Sequence, residues 1–564
     1  MIVTDSREKP LMRRVAIFLS LLCGFAASAC ATEPALPAAI RARIDVLWRQ
    51  PLGAIAVGDG THGDSTLAAR VARFYVLRSD APLWQMPQRL RALNAALDGM
   101  ADDGLVANDY GADRLAQDAL WLQHAAPEAV QARADLDVRA TAAYLLAFHQ
   151  LHSGVVDVGA LYPGWKPAPT QADAIDELQR DAQEVVEDRI ALVFAAARPA
   201  SPVYAALRAA MRELREQAAA GSWLPPLPPG PTLKPGMRDA RVALLRQRLQ
   251  HAGELPAETS PDADWYDEAL AQAVRSYQAR HQLQADGAVG ATTLAMLNLP
   301  VAARIEKLRI NLERARWFLH DLPPRYVLID IANYRLSYVD SGNPPWNASV
   351  QVGRSERPTP VLRSQITRIT LDPSWVVPPT ILRQDLLPRL RRDPAYLARS
   401  RLRAFDAAGR VVDTATINWA HPPGDLTLRQ DPGPDGALGV VAFRFPNTHQ
   451  VYLHDTPHQA LFASTPRAFS SGCVRVEHAL DLARLLLNEP AQWNAEALRA
   501  AADAGVTRSV PLDSPVLLQM IYWTIRVQQD GRVDLVADVY HRDGALLETL
   551  THALTQQRRA FGAD

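Results

Sequence analysis

The sequence predicts an α+β protein of several domains, and three observations carry that reading. Apolar residues recur at helical spacing from about Ala38 to Ser222, a run of prolines follows, and from Tyr326 onward the apolar period falls to two. At 564 residues the chain also exceeds the roughly 250–300 residues that one hydrophobic core organises. Its composition, 48% hydrophobic and 21% charged, is globular. Sixty basic against 61 acidic side chains leave no excess charge for a phosphate backbone, so no nucleic-acid partner is expected.

The first element is an export signal over residues 1–31. Arg13-Arg14 precede the apolar run Val15–Phe25, too short for a bilayer span of about 20 residues, and Ala26-Ala27-Ser28-Ala29 offers cleavage after Ala29 or Ala31. Lipidation at Cys30 is the rival outcome, disfavoured by Ala27, where a lipoprotein signal usually carries a larger aliphatic residue. The expected location is the periplasm. Cys23 and Cys30 lie in or beside the signal, which leaves Cys473 alone. A solitary thiol in an oxidising compartment is either a buried small hydrophobe or a reactive nucleophile.

Residues 38–222 read as a helical scaffold domain, with amphipathic runs at Gln88–Met100, Asp135–His152 and Asp173–Ala196 and no catalytic set among them. The proline-rich stretch 223–232 cannot continue a helix and reads as a stiff linker. A module over 233–300 follows, with helices around Val242–Leu249, Ala269–Tyr277 and Thr292–Leu297 and a turn at Asp286-Gly287. Over 301–322 a linking helix places Ile305, Leu308, Leu312, Ala315 and Phe318 on one face.

The β-rich domain spans 326–545, with strands expected at Tyr326–Ala332, Tyr334–Val339, Ala348–Val352, Gln365–Leu371, Val440–Phe445 and Gln450–Leu453. Within it, 381–418 reads as a lid-like insertion, helical to Ser400 and then a hairpin, and 546–564 reads as a C-terminal tail.

Acyl transfer through cysteine needs a thiolate, a base within reach and donors for the oxyanion. Tyr452-Leu-His454 ends a predicted strand, and Ser470-Ser471-Gly472-Cys473-Val-Arg475 follows after a short connection. Gly472 allows close backbone approach to a ligand, the amides around Cys473 are oxyanion candidates, and Arg475 favours a thiolate or clasps a substrate carboxylate. Trp375, Tyr452 and Ser470 are the candidate substrate contacts, although core packing accounts for the two aromatics equally well. For orienting His454 the candidates are a nearby backbone carbonyl and Ser471. Asp431-Pro-Gly-Pro-Asp435-Gly436 lacks the alternating oxygen ligands of a calcium loop, and the histidines lack zinc-site spacing, so no metal and no cofactor is expected.

The order of Gly236, Val242, Leu249, Gly253, Tyr277-Gln278, Asp286-Gly287, Gly290, Thr293 and Leu297 resembles the peptidoglycan-binding module PG_binding_1. His454 followed by Ser470-x-Gly472-Cys473-x-Arg475 resembles the signature of the YkuD-type L,D-transpeptidases. Many members carry His where this chain has Ser471; the large YcbB-like branch has Ser there and shares Leu371-Asp-Pro-Ser-Trp375, Pro378-Pro379, Leu438-Gly439, Phe445-Pro446-Asn447 and Tyr522-Trp523-Thr524. Gly436 and Ala442 depart from that branch, where Asn and Lys are expected. The resemblance implies an enzyme in which Cys473 is the nucleophile and His454 the general base and acid. Its implied partners are a tetrapeptide donor stem and a diaminopimelate acceptor, joined in a direct crosslink, with carbapenems as covalent inhibitors and other murein synthesis proteins as associates. An L,D-carboxypeptidase or endopeptidase using the same site, and a non-catalytic murein-binding scaffold, are the alternatives.

Overall fold

The computed structural model describes residues 35–57, 66–165, 183–186, 188–221, 224–256, 262–320, 322–433 and 435–562. The export signal expected over 1–31 and part of the helix expected over Asp173–Ala196 lie outside them.

The amino-terminal half is helical and organised by one long helix, Val130–Ser153, whose alanines 140, 142, 143 and 147 are fully buried and let neighbouring helices approach closely. Asp137 on this helix is buried, yet its carboxylate accepts hydrogen bonds from the backbone amides of Leu83 and Trp84, from Gln85 Nε2 and from Tyr75 Oη. A buried carboxylate held by that many donors fixes the turn at Pro82-Leu83-Trp84.

The three-helix module consists of Arg241–His251, Glu268–Arg280 and Ala291–Leu297. It has its own core, built on Leu233, Leu245, Tyr266, Leu270 and Val274, into which Leu227 of the proline-rich stretch also packs. Arg248 donates to the carbonyls of Leu224 and Pro225, and Asn298 exchanges hydrogen bonds with the Leu227 backbone. The proline-rich stretch is therefore strapped along the module. Gln278 explains the Asp286-Gly287 turn: its amide donates to Asp286 Oδ1 and Thr293 Oγ1 and accepts from Gly287 N.

The linking helix runs Val301–Phe318. Glu313 accepts from the backbone amides of Val155 and Val156 at 2.6 and 2.8 Å, and Arg316 donates to the Asp103 carbonyl, so this helix locks the scaffold to the sheet that follows. Leu308, Leu312, Ala315 and Phe318 belong to one apolar core that runs unbroken from the scaffold helices into the β-rich domain.

That domain opens with β1 (Arg325–Asp330), β2 (Arg335–Asp340), β3 (Trp346–Gly353) and β4 (Leu362–Leu371). After an excursion carrying β5 (Trp375–Val376), β6 (Leu402–Phe405), β7 (Val411–Val412) and β8 (Thr427–Gln430), it resumes with β9 (Val441–Arg444), β10 (Leu453–His454), β11 (Ala468–Ser470), β12 (Val474–Val476) and β13 (Arg508–Ile521). The main sheet has the order β11-β3-β12-β10-β9-β4-β13-β1-β2. Parallel pairing of β10 with β12 brings two distant segments side by side in its middle.

Two boundaries differ from the sequence reading. The insertion is wider than 381–418: its sheet, β5-β8-β6-β7, extends from Trp375 to Gln430 and closes over a separate core of Val377, Leu390, Leu402, Trp419 and Leu428. Most of the C-terminal tail expected over 546–564 is helix: Asp543–Ala560 buries Leu546, Leu550 and Leu554 and is tied in by an ion pair from buried Arg314 to Asp543.

Candidate active site

In the register of the central strands Leu453 lies opposite Val474 on one side and Phe443 on the other, and Phe443 lies opposite Ile369. All four are fully buried and face the core. Side chains alternate along a strand, so the neighbouring positions share the opposite face. One row there is Arg475, His454, Ala442 and Thr370. Continued by one residue, the register gives a second row of Cys473, Tyr452, Arg444 and Arg368, supported by the bond from Val474 N to Tyr452 O at 3.2 Å. The sheet thus brings Cys473, His454, Tyr452 and Arg475 together.

Cys473 sits half-buried just before β12. Burial pushes its thiol above the ordinary range, while a backbone hydrogen bond from Tyr452 and the charges of Arg475 and Arg444 pull it back. His454 is 4% exposed, and burial together with Arg475 lowers its imidazole to about 3. Its Nδ1 donates to Asp455 O at 2.5 Å, which leaves Nε2 as the nitrogen for proton transfer. Both shifts favour the uncharged forms, thiol and imidazole. Asp455 is held in turn by Val440 N at 3.0 Å, and a Cβ on Gly439 (φ +59) would meet the Asp455 carboxylate at 2.3 Å, so glycine is required there.

The loop that leads into Cys473 is braced from several sides. Gly472 (φ +115) adopts a backbone that side chains disfavour. Its N–H donates to Ser470 Oγ at 3.1 Å and its carbonyl accepts from Thr359 Oγ1 at 2.9 Å. The Gly472 amide is therefore engaged within the loop and is not an oxyanion donor in this arrangement. Ser470 is buried, with its hydroxyl donating to Cys473 O, so its side chain is engaged in bracing the loop. Ser471 does not orient His454: its Oγ accepts from Arg357 Nη1 at 3.0 Å, and the backbone carbonyl of Asp455 does the orienting. Arg475 Nη1 donates to Gln351 Oε1 at 3.1 Å, and its buried Nε has no partner among the described residues. The Tyr452 phenol is pushed up by burial and by nearby Cys473, and the Arg444 guanidinium lies 4.5 Å over its ring.

Sequence reasoning missed Arg357, Thr359, Asp385, Arg368 and Arg444. The first two lie in the β3–β4 connection, a polar loop with no motif of its own, and the arginines look like ordinary solvent-facing strand positions. Among the described residues no three His, Cys, Asp or Glu side chains converge as a metal-binding group.

Residues 324–507 match the family model described as the L,D-transpeptidase catalytic domain, YkuD. Residues 69–211 match the "Scaffold domain", and 238–297 the "Putative peptidoglycan binding domain", PG_binding_1. A Haemophilus influenzae protein named "Putative L,D-transpeptidase" is 34% identical over 244 residues, 42% of this chain and 48% of that protein, so the match spans about half the relative's length. Solved structures of L,D-transpeptidases from Xylanimonas cellulosilytica and Stackebrandtia nassauensis align at 16% and 13% identity, covering 52% and 53% of this chain and 100% and 96% of theirs, with TM-scores of 0.16 and 0.20. With Cys473, His454 and Arg475 gathered on one face of the matched domain, residues 324–507 belong to the YkuD family of L,D-transpeptidase catalytic domains, and residues 238–297 form a peptidoglycan-binding module of the PG_binding_1 family.

Proposed function

We propose that this chain is a peptidoglycan L,D-transpeptidase of the cell envelope, which forms direct crosslinks between diaminopimelate residues through a cysteine acyl-enzyme. The observation that carries the reading is the parallel pairing of β10 with β12, which sets His454 and Cys473 on one face of the matched domain.

In the proposed reaction Cys473 Sγ attacks the carbonyl carbon of the third stem residue, and His454 takes the thiol proton. The bond from that carbonyl to the terminal D-Ala nitrogen breaks, His454 returns the proton to the departing amine, and a thioester remains. The side-chain amine of a second stem's diaminopimelate then attacks the thioester and gives up a proton through His454 to the leaving sulfur. A new amide forms and the thiol is restored. Arg475 acts on the transient thiolate through its charge. The three-helix module holds the enzyme on the wall, and the signal at 1–31 delivers the chain there.

Intact-mass spectrometry of the mature protein and of Cys473→Ala, with a carbapenem and separately with disaccharide tetrapeptide, tests this. A covalent adduct on the parent only, with a dimeric muropeptide one D-Ala short, is expected. No adduct on a folded parent would overturn it, and a monomeric tripeptide as the sole product would make the enzyme a carboxypeptidase.

A further inference from the structure

Beyond the nucleophile, the row of residues Cys473, Tyr452, Arg444 and Arg368 continues into an open cavity of about 340 Å³. Arg368, Arg444, Asn447, Gln450 and Tyr452 are among its walls, and no acidic residue lines it. Arg368 and Arg444 are directly opposite one another in the antiparallel pair β4–β9. Like charges at such positions destabilise a sheet. Arg354 and Arg357 share Asp385, whereas neither Arg368 nor Arg444 forms an ion pair among the described residues. Arg444 instead lies 4.5 Å over the Tyr452 ring, and its charge reaches both Cys473 and His454. Two uncompensated guanidinium groups flanking an open, acid-free cavity are arranged for an anion.

The distance selects which kind. Neighbouring strands lie about 4.8 Å apart, so Arg444 and Arg368 stand about two and three strand spacings from Cys473, on the order of 10 and 14 Å. A stem carboxylate one or two residue lengths from the attacked carbonyl, at about 3.4 Å each, closes part of that span, and an extended arginine side chain reaching back from its strand closes the rest. We propose that Arg368 and Arg444 form a carboxylate-binding subsite that takes a free carboxylate of the stem peptide, one or two residue lengths from the carbonyl that Cys473 attacks. This rests on the transpeptidase reading for the identity of the peptide. It adds a specificity determinant supplied by this chain's own strands β4 and β9.

The test crosses variant with ligand. Tetrapeptide binding to Cys473→Ala is measured by calorimetry, alone and combined with Arg368→Gln, Arg444→Gln or Arg444→Lys. The ligand is either native or amidated at the D-Glu carboxylate or at the diaminopimelate carboxylate. Each Gln variant should weaken native tetrapeptide roughly tenfold or more, the usual scale of a lost charge-assisted hydrogen bond, and Lys should recover part of it. One amidation should weaken binding to Cys473→Ala by a similar factor and cause no further loss in the Gln variants. Unchanged affinity in Arg368→Gln and Arg444→Gln, or losses that multiply with every amidation, would overturn the subsite. These readouts need no turnover. A subsite seen here without any covalent adduct on the parent would count against the transpeptidase reading alone.

Discussion

Arg357 and Asp385 join the two cores of the catalytic domain: Nη1 to Oδ2 at 2.5 Å and Nη2 to Oδ1 at 2.9 Å, with the same Nη1 also donating to Ser471 Oγ, two residues before Cys473. Asp385 belongs to the insertion and Arg357 to the connection that braces the Gly472 loop; Arg354, whose N–H donates to Ser470 O, reaches Asp385 at 3.4 Å as well, so the position of the insertion is transmitted to the loop before Cys473 mainly through the Arg357 guanidinium.

Asp385→Asn should therefore loosen the insertion. The pair is partly exposed, so the expected cost is about 0.5–1 kcal/mol, or a two- to fivefold slower acylation by a carbapenem. Amide exchange over 375–430 should quicken while the rest of the domain is unchanged. Arg357 holds the Asp385 carboxyl below its usual range, so the bridge persists through neutral pH and weakens only as pH falls through that lowered value. Equal exchange in parent and variant would show that the bridge does not hold the insertion.

Cys473 is buried enough to be a reluctant thiolate, and Arg475 is one of the charges that lowers its pKa. Arg475→Gln removes that charge, so the thiol pKa should rise further. Alkylation of Cys473 by iodoacetamide at pH 8 should slow by about tenfold for each unit of rise, and its pH profile should shift to higher pH. A profile that stays in place would mean that the Arg475 charge is screened from the sulfur.

His454 and Cys473 could be singled out before folding because the phrase that carries them, His454 followed by Ser470-x-Gly472-Cys473-x-Arg475, is local in sequence, and the pairing of β10 with β12 puts both on one face. Arg357, Thr359 and Asp385 come from two further segments, and only the fold makes them neighbours of Ser471 and Gly472. Strands β1 and β2 are long enough for their alternation to show. The 14-residue β13 hides its alternation, because Pro511, Asp513 and Pro515 sit at a register shift between Pro511 and Val516. The final helix reads as a tail because Leu546, Leu550 and Leu554 form a narrow stripe among polar residues.

Acid should destabilise this protein well above the carboxylate range. His149, His320 and His454 are lowered to about 3 and His281 to about 4, in each case chiefly by burial. Unfolded histidines take up protons near pH 6.5, so each buried one costs nothing above that pH. Stability is then lost progressively as pH falls from about 6.5 toward the folded values. Melting temperature should fall over that window, and His149→Leu should flatten the fall. An equally steep decline in the variant would mean that His149 becomes hydrated without unfolding.

The junction of scaffold and sheet should depend most on Glu313. Its side chain and that of Arg316 are fully buried, its Oε2 accepts from Arg316 at 2.5 Å, and its Oε1 takes both the Val155 and Val156 amides. Glu313→Gln keeps the shape but removes the charge facing Arg316, leaving a buried guanidinium without its counter-ion. Breaking a buried pair this way costs about 3–5 kcal/mol, far more than an exposed bridge. Gly154 lies against the same junction, at φ +87, where an added Cβ would come within 2.5 Å of Trp317 Nε1 and 2.6 Å of Glu313 Oε1. Gly154→Ala should thus destabilise through the same junction. Chemical denaturation of each single variant and of the double variant checks this. If both act on one junction, the combined loss should be smaller than the sum of the two single losses; a simple sum would mean that the helix end at Gly154 and the Glu313 pair stabilise the fold independently.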